Sequence, residues 1–121
     1  MGKLVRDNIP QIIKNNGQLP ITKILNEDEY WQALLAKDNE ELLEVKNANS
    51  LLERKEELAD KLELIIAMAK YNGFSLQDII DEANKKREKN GGFEKRIFLE
   101  KVIKKWYKKK LVSFFILFLL T

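Results

Sequence analysis

Two pairs of acidic residues, set on either side of a short polar break, carry the chemistry this sequence could support. The stretch reads Glu40-Glu41-Leu42-Leu43-Glu44, then Asn47-Ala48-Asn49-Ser50, then Glu56-Glu57-Leu58-Ala59-Asp60. Glu41 and Glu44 are three residues apart, as are Glu57 and Asp60, so on a helix each pair occupies one face, one turn apart. An antiparallel helix pair turning near Asn49 and Ser50 brings the two pairs level, and four carboxylates then meet. Unpaired carboxylates at close range repel, and burying them uncompensated costs several kcal/mol or forces protonation. A hard divalent cation with oxygen ligands resolves the conflict, and Mg²⁺ shares such sites with substrate phosphates. The competing reading is a solvated acidic face whose glutamates pair with lysines four residues on, each pair worth a few tenths of a kcal/mol.

Helices must position these acids, and the flanking sequence is written for helices. Asn26 with Glu29, and Ser50 with Glu53, have the spacing of capping boxes, and Ser75 with Asp78 caps a further helix. Trp31, Leu34, Leu35, Leu42 and Val45 recur at three- and four-residue spacing and predict the core face of the first long helix. Tyr30 and Trp31 are expected in the core rather than stacked on a base. Leu51, Leu58, Leu62, Ile65, Ile66 and Ala69 predict the core stripe of the second. On that helix Glu57, Asp60, Leu64, Ala67 and Met68 share another broad face, so the acids run into apolar sequence. A helix apolar on more than one side is buried in a bundle or an interface, which predicts a homodimer. Asn72-Gly73 ends the second helix. Leu76, Ile79, Ile80 and Ala83 are expected to face inward on a third, which runs into Asn84, Lys85, Lys86, Arg87 and Lys89.

Near the start, Pro10 suits the first turn of a short helix stopped by Gly17. Ile21 to Leu25 is β-branched and needs a partner if it is a strand. Residues 95–99 are the other candidate, so a small antiparallel ribbon, 21–25 with 95–99, is predicted. Lys37, Asp38 and Asn39, one turn before the acids, could approach a base or sugar, with a solvent-facing position as the first expectation.

Composition narrows the chemistry. The 121 residues fit one domain with a modest core. With no Cys there is no disulfide framework or thiolate site, and with no His the usual imidazole base and zinc ligand are missing. A metal must be held by carboxylates, which favours Mg²⁺, with Mn²⁺ as the alternative. Few Pro and Gly favour an all-α fold. The net charge of +3 is owed to six lysines after Glu100, so residues 1–100 carry +3 less six, a net −3. That argues against nucleic acid as a partner of the body. No secretory signal stands at the N-terminus, and a cytoplasmic location is expected.

Glu-Glu-x-x-Glu followed by Glu-x-x-Asp on the next helix resembles the signature of the MazG-like all-α nucleoside triphosphate pyrophosphohydrolases. Lys3-Leu4-Val5-Arg6-Asp7-Asn8-Ile9-Pro10 and Gly91-Gly92-Phe93-Glu94-Lys95-Arg96 are similar to segments of its phosphoribosyl-ATP pyrophosphohydrolase-like branch. The similarity covers residues 3–100, specific for the superfamily and weak for the substrate. It implies a Mg²⁺-dependent enzyme that splits the α–β phosphate bond of a nucleotide, releasing a monophosphate and pyrophosphate. Glu41, Glu44, Glu57 and Asp60 would hold the metal. Glu40, ahead of Glu56, would orient or deprotonate the attacking water. Lys3, Arg6, Asn84, Lys86 and Arg87 would bind substrate, with Asp7 helping to close the site. A non-canonical or surplus nucleoside triphosphate is the first expected substrate and phosphoribosyl-ATP the second. A nucleotide-binding helical module without turnover is the rival from another class.

Residues 101–121 lie outside the resemblance. A lysine-rich run containing Trp106 and Tyr107 leads into Leu111 to Leu120. Ten apolar-dominated residues reach about 15 Å as a helix, half a hydrocarbon core, too short to cross a bilayer. An interfacial anchor, packing on a partner, or a non-native extension from an altered reading frame are the readings of this tail, and membrane contact is expected only if it is native. A membrane-surface protein whose acids are merely solvated is the remaining rival.

Overall fold

A computed structural model describes residues 2–104. All regular structure in them is helical: α1 Ile9–Asn15, α2 Glu27–Asn47, α3 Leu51–Tyr71 and α4 Leu76–Asn90. The chain divides into two units, Met1–Lys86 and Arg87–Thr121. The 105–121 part of the tail lies outside the described residues. No helix among those described is long and apolar enough to cross a membrane.

Capping chemistry sets the helix starts. Asn26 accepts from the Glu29 amide at 2.9 Å while Glu29 Oε1 accepts from the Asn26 amide at 3.2 Å, a complete capping box. Ser75 and Asp78 exchange the same pair of bonds at 2.9 and 3.1 Å. At α3 the box is split. Ser50 Oγ accepts from the Glu53 amide at 3.1 Å, but Glu53 Oε2 reaches one residue further back and accepts from the Asn49 amide at 2.7 Å. Those two bonds pin the tight turn between α2 and α3.

Within the first unit α2 and α3 pack on each other as an antiparallel hairpin, the one close helix pair among the described residues. Leu34 is 1% exposed and, with Leu64 and Ala69, forms the buried apolar core. Trp31 stacks on Tyr71 with ring centroids 5.0 Å apart, and Tyr30 meets the same ring edge-on at 6.0 Å. These aromatics are half-buried. Leu35, Leu42, Leu51, Leu58, Leu62 and Ile65, placed at core spacing, are exposed within this single chain. On α4 Leu76 and Ile79 are half-buried while Ile80 and Ala83 are exposed. A periodic stripe identifies a face that wants burial, and one copy of the hairpin is too thin to bury both sides of each helix.

The predicted ribbon does not form. Neither residues 21–25 nor residues 95–99 are strand. Ile21 and Ile24 stand almost fully exposed, so β-branched composition there finds no ladder to join. In the other segment Arg96 adopts φ +57°, a left-handed conformation that breaks an extended run. Its amide instead donates to the Phe93 carbonyl at 3.0 Å, closing a turn. In this second unit Gly91, at φ +83°, lies beyond the end of α4, and its amide donates to the Arg87 carbonyl at 2.8 Å. This is a left-handed helix stop, which favours glycine.

Candidate carboxylate site

The site is built by the α2–α3 hairpin. Because the turn at Asn49 and Ser50 fixes the register, Glu41 on α2 lies opposite Glu57 and Asp60 on α3. One carboxylate oxygen of each lies within 4.8 Å of the other two. Three of the four predicted acids are therefore together. Glu44 is exposed and outside this group, although its charge still acts on Glu57.

Glu41 is the buried member, at 7% exposure, and its Oε2 has no hydrogen-bond partner. Glu57, half-buried beside it, is raised from 4.5 to about 7. Desolvation is the largest cause, followed by a hydrogen bond with Glu41 and then the charges of Glu41, Asp60 and Glu44. These facts agree physically. Two ionised carboxylates have no hydrogen between them, so Glu41 is left wanting a partner. A proton on Glu57 supplies one, and a cation bound by both would supply it without the proton.

Cations of the chain surround the acids. Lys37, with its side chain only 19% exposed, lies 3.3 Å from Glu40 Oε1 and 3.6 Å from Glu41 Oε1. Lys3 approaches the same Glu40 oxygen at 3.7 Å. Arg6 Nη2 donates to Asp60 Oδ1 at 2.6 Å. Lys61 on α3 bonds Asp38 on α2 at 2.8 Å, tying the helices together beside the site. The expectation that Lys37 and Asp38 face solvent is thus corrected. Lys37 stands three and four residues before Glu40 and Glu41, and that spacing was the readable signal.

The predicted substrate residues divide. Lys3 and Arg6 reach the acids. Asn84 and Lys86 are exposed on α4 and have no hydrogen bond or ion pair with them. Arg87 pairs with Glu94 at 2.9 Å. Glu40 is half-buried and outside the triad, and Glu56 is exposed.

The donor set fits a hard divalent cation: three oxygens, no sulfur or imidazole, and a buried oxygen left unsatisfied. No family model and no solved structure matches the chain. Over 50 residues, 41% of its length, it is 46% identical to an uncharacterized protein of Mycolicibacterium smegmatis. The chain spans about half the length of that curated relative.

Proposed function

We propose that this protein is a Mg²⁺-dependent nucleotide pyrophosphohydrolase of MazG-like type, acting on non-canonical or surplus nucleoside triphosphates. One observation carries the reading: Glu41, Glu57 and Asp60 converge across the hairpin with a buried, unpartnered Glu41 oxygen among them. A merely solvated acidic face has no reason to bury a carboxylate at 7% exposure.

Glu41, Glu57 and Asp60 would hold the cation, with Glu44 reaching it through a change of rotamer or a water. When bound, the cation would polarise phosphate oxygens and lower the pKa of water. Lys37 and Lys3 both meet Glu40 at Oε1, which leaves Oε2 to accept a proton from the attacking water. Attack at the α phosphorus breaks its bond to the bridging oxygen, and pyrophosphate leaves. Lys3 and Arg6, already beside the acids, would meet the phosphate charge. The exposed leucines of α2 and α3 support a homodimer, since a second hairpin would cover them.

The test is pyrophosphate release from a panel of nucleoside triphosphates and phosphoribosyl-ATP, with Mg²⁺ and with chelator, beside Glu41→Gln and Asp60→Asn. Metal-dependent release that both substitutions abolish is expected. No release from any substrate, with both variants folded, would reduce the cluster to a binding site.

A further inference from the structure

We propose that Arg6 is a built-in stand-in for the divalent cation at Asp60, and that the 3–7 segment leaves the carboxylates when a cation takes its place. The inference rests on the cation-binding reading above and adds a regulation of that site.

The segment spans the hairpin. Lys3 pairs with Glu40 on α2 at 3.7 Å and Arg6 pairs with Asp60 on α3 at 2.6 Å. Between them Leu4 and Val5 are half-buried. The Arg6 carbonyl accepts from the Ile9 amide at 3.1 Å, so the segment hinges on the turn that starts α1. Asp60 is the one member of the triad whose carboxylate a guanidinium already holds, whereas Glu41 keeps an unpartnered, buried Oε2. The site is therefore half-neutralised by the chain, on the side that water can reach. A guanidinium hydrogen-bonded to Asp60 and a divalent ion on the same carboxylate repel each other strongly, and the two compete. The pair is exposed, with side chains 56% and 38% accessible. Exposed pairs are individually weak, so an incoming divalent ion can displace this one. The segment then loses its shorter ion pair and keeps only the 3.7 Å Lys3 pair and the partial burial of Leu4 and Val5, so it lifts away and Arg6 becomes free to meet an anion.

The experiment is Mn²⁺ binding to the full chain, followed by the electron paramagnetic resonance signal of free Mn²⁺. Arg6→Gln should bind Mn²⁺ roughly two- to fivefold tighter than wild type, the gain expected from removing an exposed competing pair. Arg6→Lys should stay near wild type. Lys3→Gln, which removes the same charge without vacating Asp60, should gain less than Arg6→Gln. In ¹⁵N-labelled wild-type protein, Mg²⁺ should move the Leu4 and Val5 amide resonances toward random-coil positions, a measurement that stands if Arg6→Gln folds poorly. Equal or weaker Mn²⁺ binding by folded Arg6→Gln, or Leu4 and Val5 amides unmoved while those of Glu57 and Asp60 shift, overturns the exchange but keeps the cation site. Absence of Mn²⁺ binding in every form overturns both.

Discussion

The indole of Trp31 lies stacked on the ring of Tyr71, with 23° between the planes, joining the first turns of α2 to the last turn of α3. The contact closes the open end of the hairpin, far along both helices from the Asn49–Ser50 turn. Tyr71→Ala should cost about 2 kcal/mol, below the usual range for a buried aromatic because both rings are half-exposed. Urea unfolding measures this. A loss under about 0.5 kcal/mol would show that the stack does not hold the hairpin shut.

Leu34 is the best-buried side chain of the described residues. Leu34→Ala should cost about 3 kcal/mol, a large fraction of the stability of so small a domain. Circular dichroism at increasing temperature should show a much earlier transition, or none. A melt matching wild type would mean that the hairpin owes its stability to surfaces outside this core.

Glu57 predicts an unusual pH dependence for the metal-free protein. Its carboxyl is raised from 4.5 to about 7 in the fold, so between those values the folded state keeps a proton that the unfolded state has lost. Stability therefore falls as pH rises through that window, and the loss is complete above about 7. Glu94 is shifted the other way, by a backbone hydrogen bond within its own residue and by Arg87, and its contribution is lost only below the ordinary carboxylate range. With chelator present, melting should come at lower temperature near pH 8 than near pH 5, and Glu57→Gln should flatten the profile. Mg²⁺ should restore the loss at the alkaline end. A profile indifferent to Glu57→Gln would place the carboxyl groups further apart than they stand here.

Glu41→Gln removes a buried charge and adds a donor where Oε2 has no partner. The metal-free variant should be at least as stable as wild type, while stabilisation by Mg²⁺ disappears. Thermal melts with Mg²⁺ and with chelator give both halves. A variant that is destabilised yet still gains stability from Mg²⁺ would mean that Glu41 serves packing and not the cation.

Gly91 and Gly92 stand close in sequence but not in cost. At φ +83° Gly91 is in a conformation that a side chain resists, and Gly91→Ala should cost about 1 kcal/mol. Gly92 has no such constraint, and the atoms nearest to a Cβ there belong to the Glu94 carboxylate, which can swing away. Gly92→Ala should cost less and break the Arg87–Glu94 pair. Equal losses by denaturant titration would contradict this.

Much of the hairpin was legible because its signals are local. Asn26, Ser50 and Ser75 with their acidic partners mark where helices begin, and the Asn47–Ser50 break fixes a register that levels Glu41 with Glu57 and Asp60. Spacing alone could not set how the two helices roll against each other. A small rotation decides that Glu41 turns inward while Glu44, a full turn on, points to water. The 21–25 segment failed for a related reason: β-branched residues favour extended backbone, but pairing needs a partner strand, and Arg96 turns the proposed one aside. Lys37 could be matched to Glu40 and Glu41 by its spacing on one helix, but nothing in Arg6, a lone basic residue far along the chain, says that it will meet Asp60. The stripe of Leu42, Leu58 and Leu62 is legible as apolar, but spacing does not say whether this chain or a second one covers it, and within this chain those residues are exposed.

The Ser50–Glu53–Asn49 bonds that pin the turn have a kinetic consequence. A hairpin closed by a tight local turn has low contact order, and such topologies form early and fast. Here zipping outward from the turn brings Glu57 and Asp60 onto Glu41 before Trp31 can reach Tyr71. The chain must climb its electrostatic hill at the start of folding and collects its aromatic reward at the end. Protons or divalent ions should therefore accelerate folding itself, raising the refolding arm of a chevron plot more than they lower the unfolding arm.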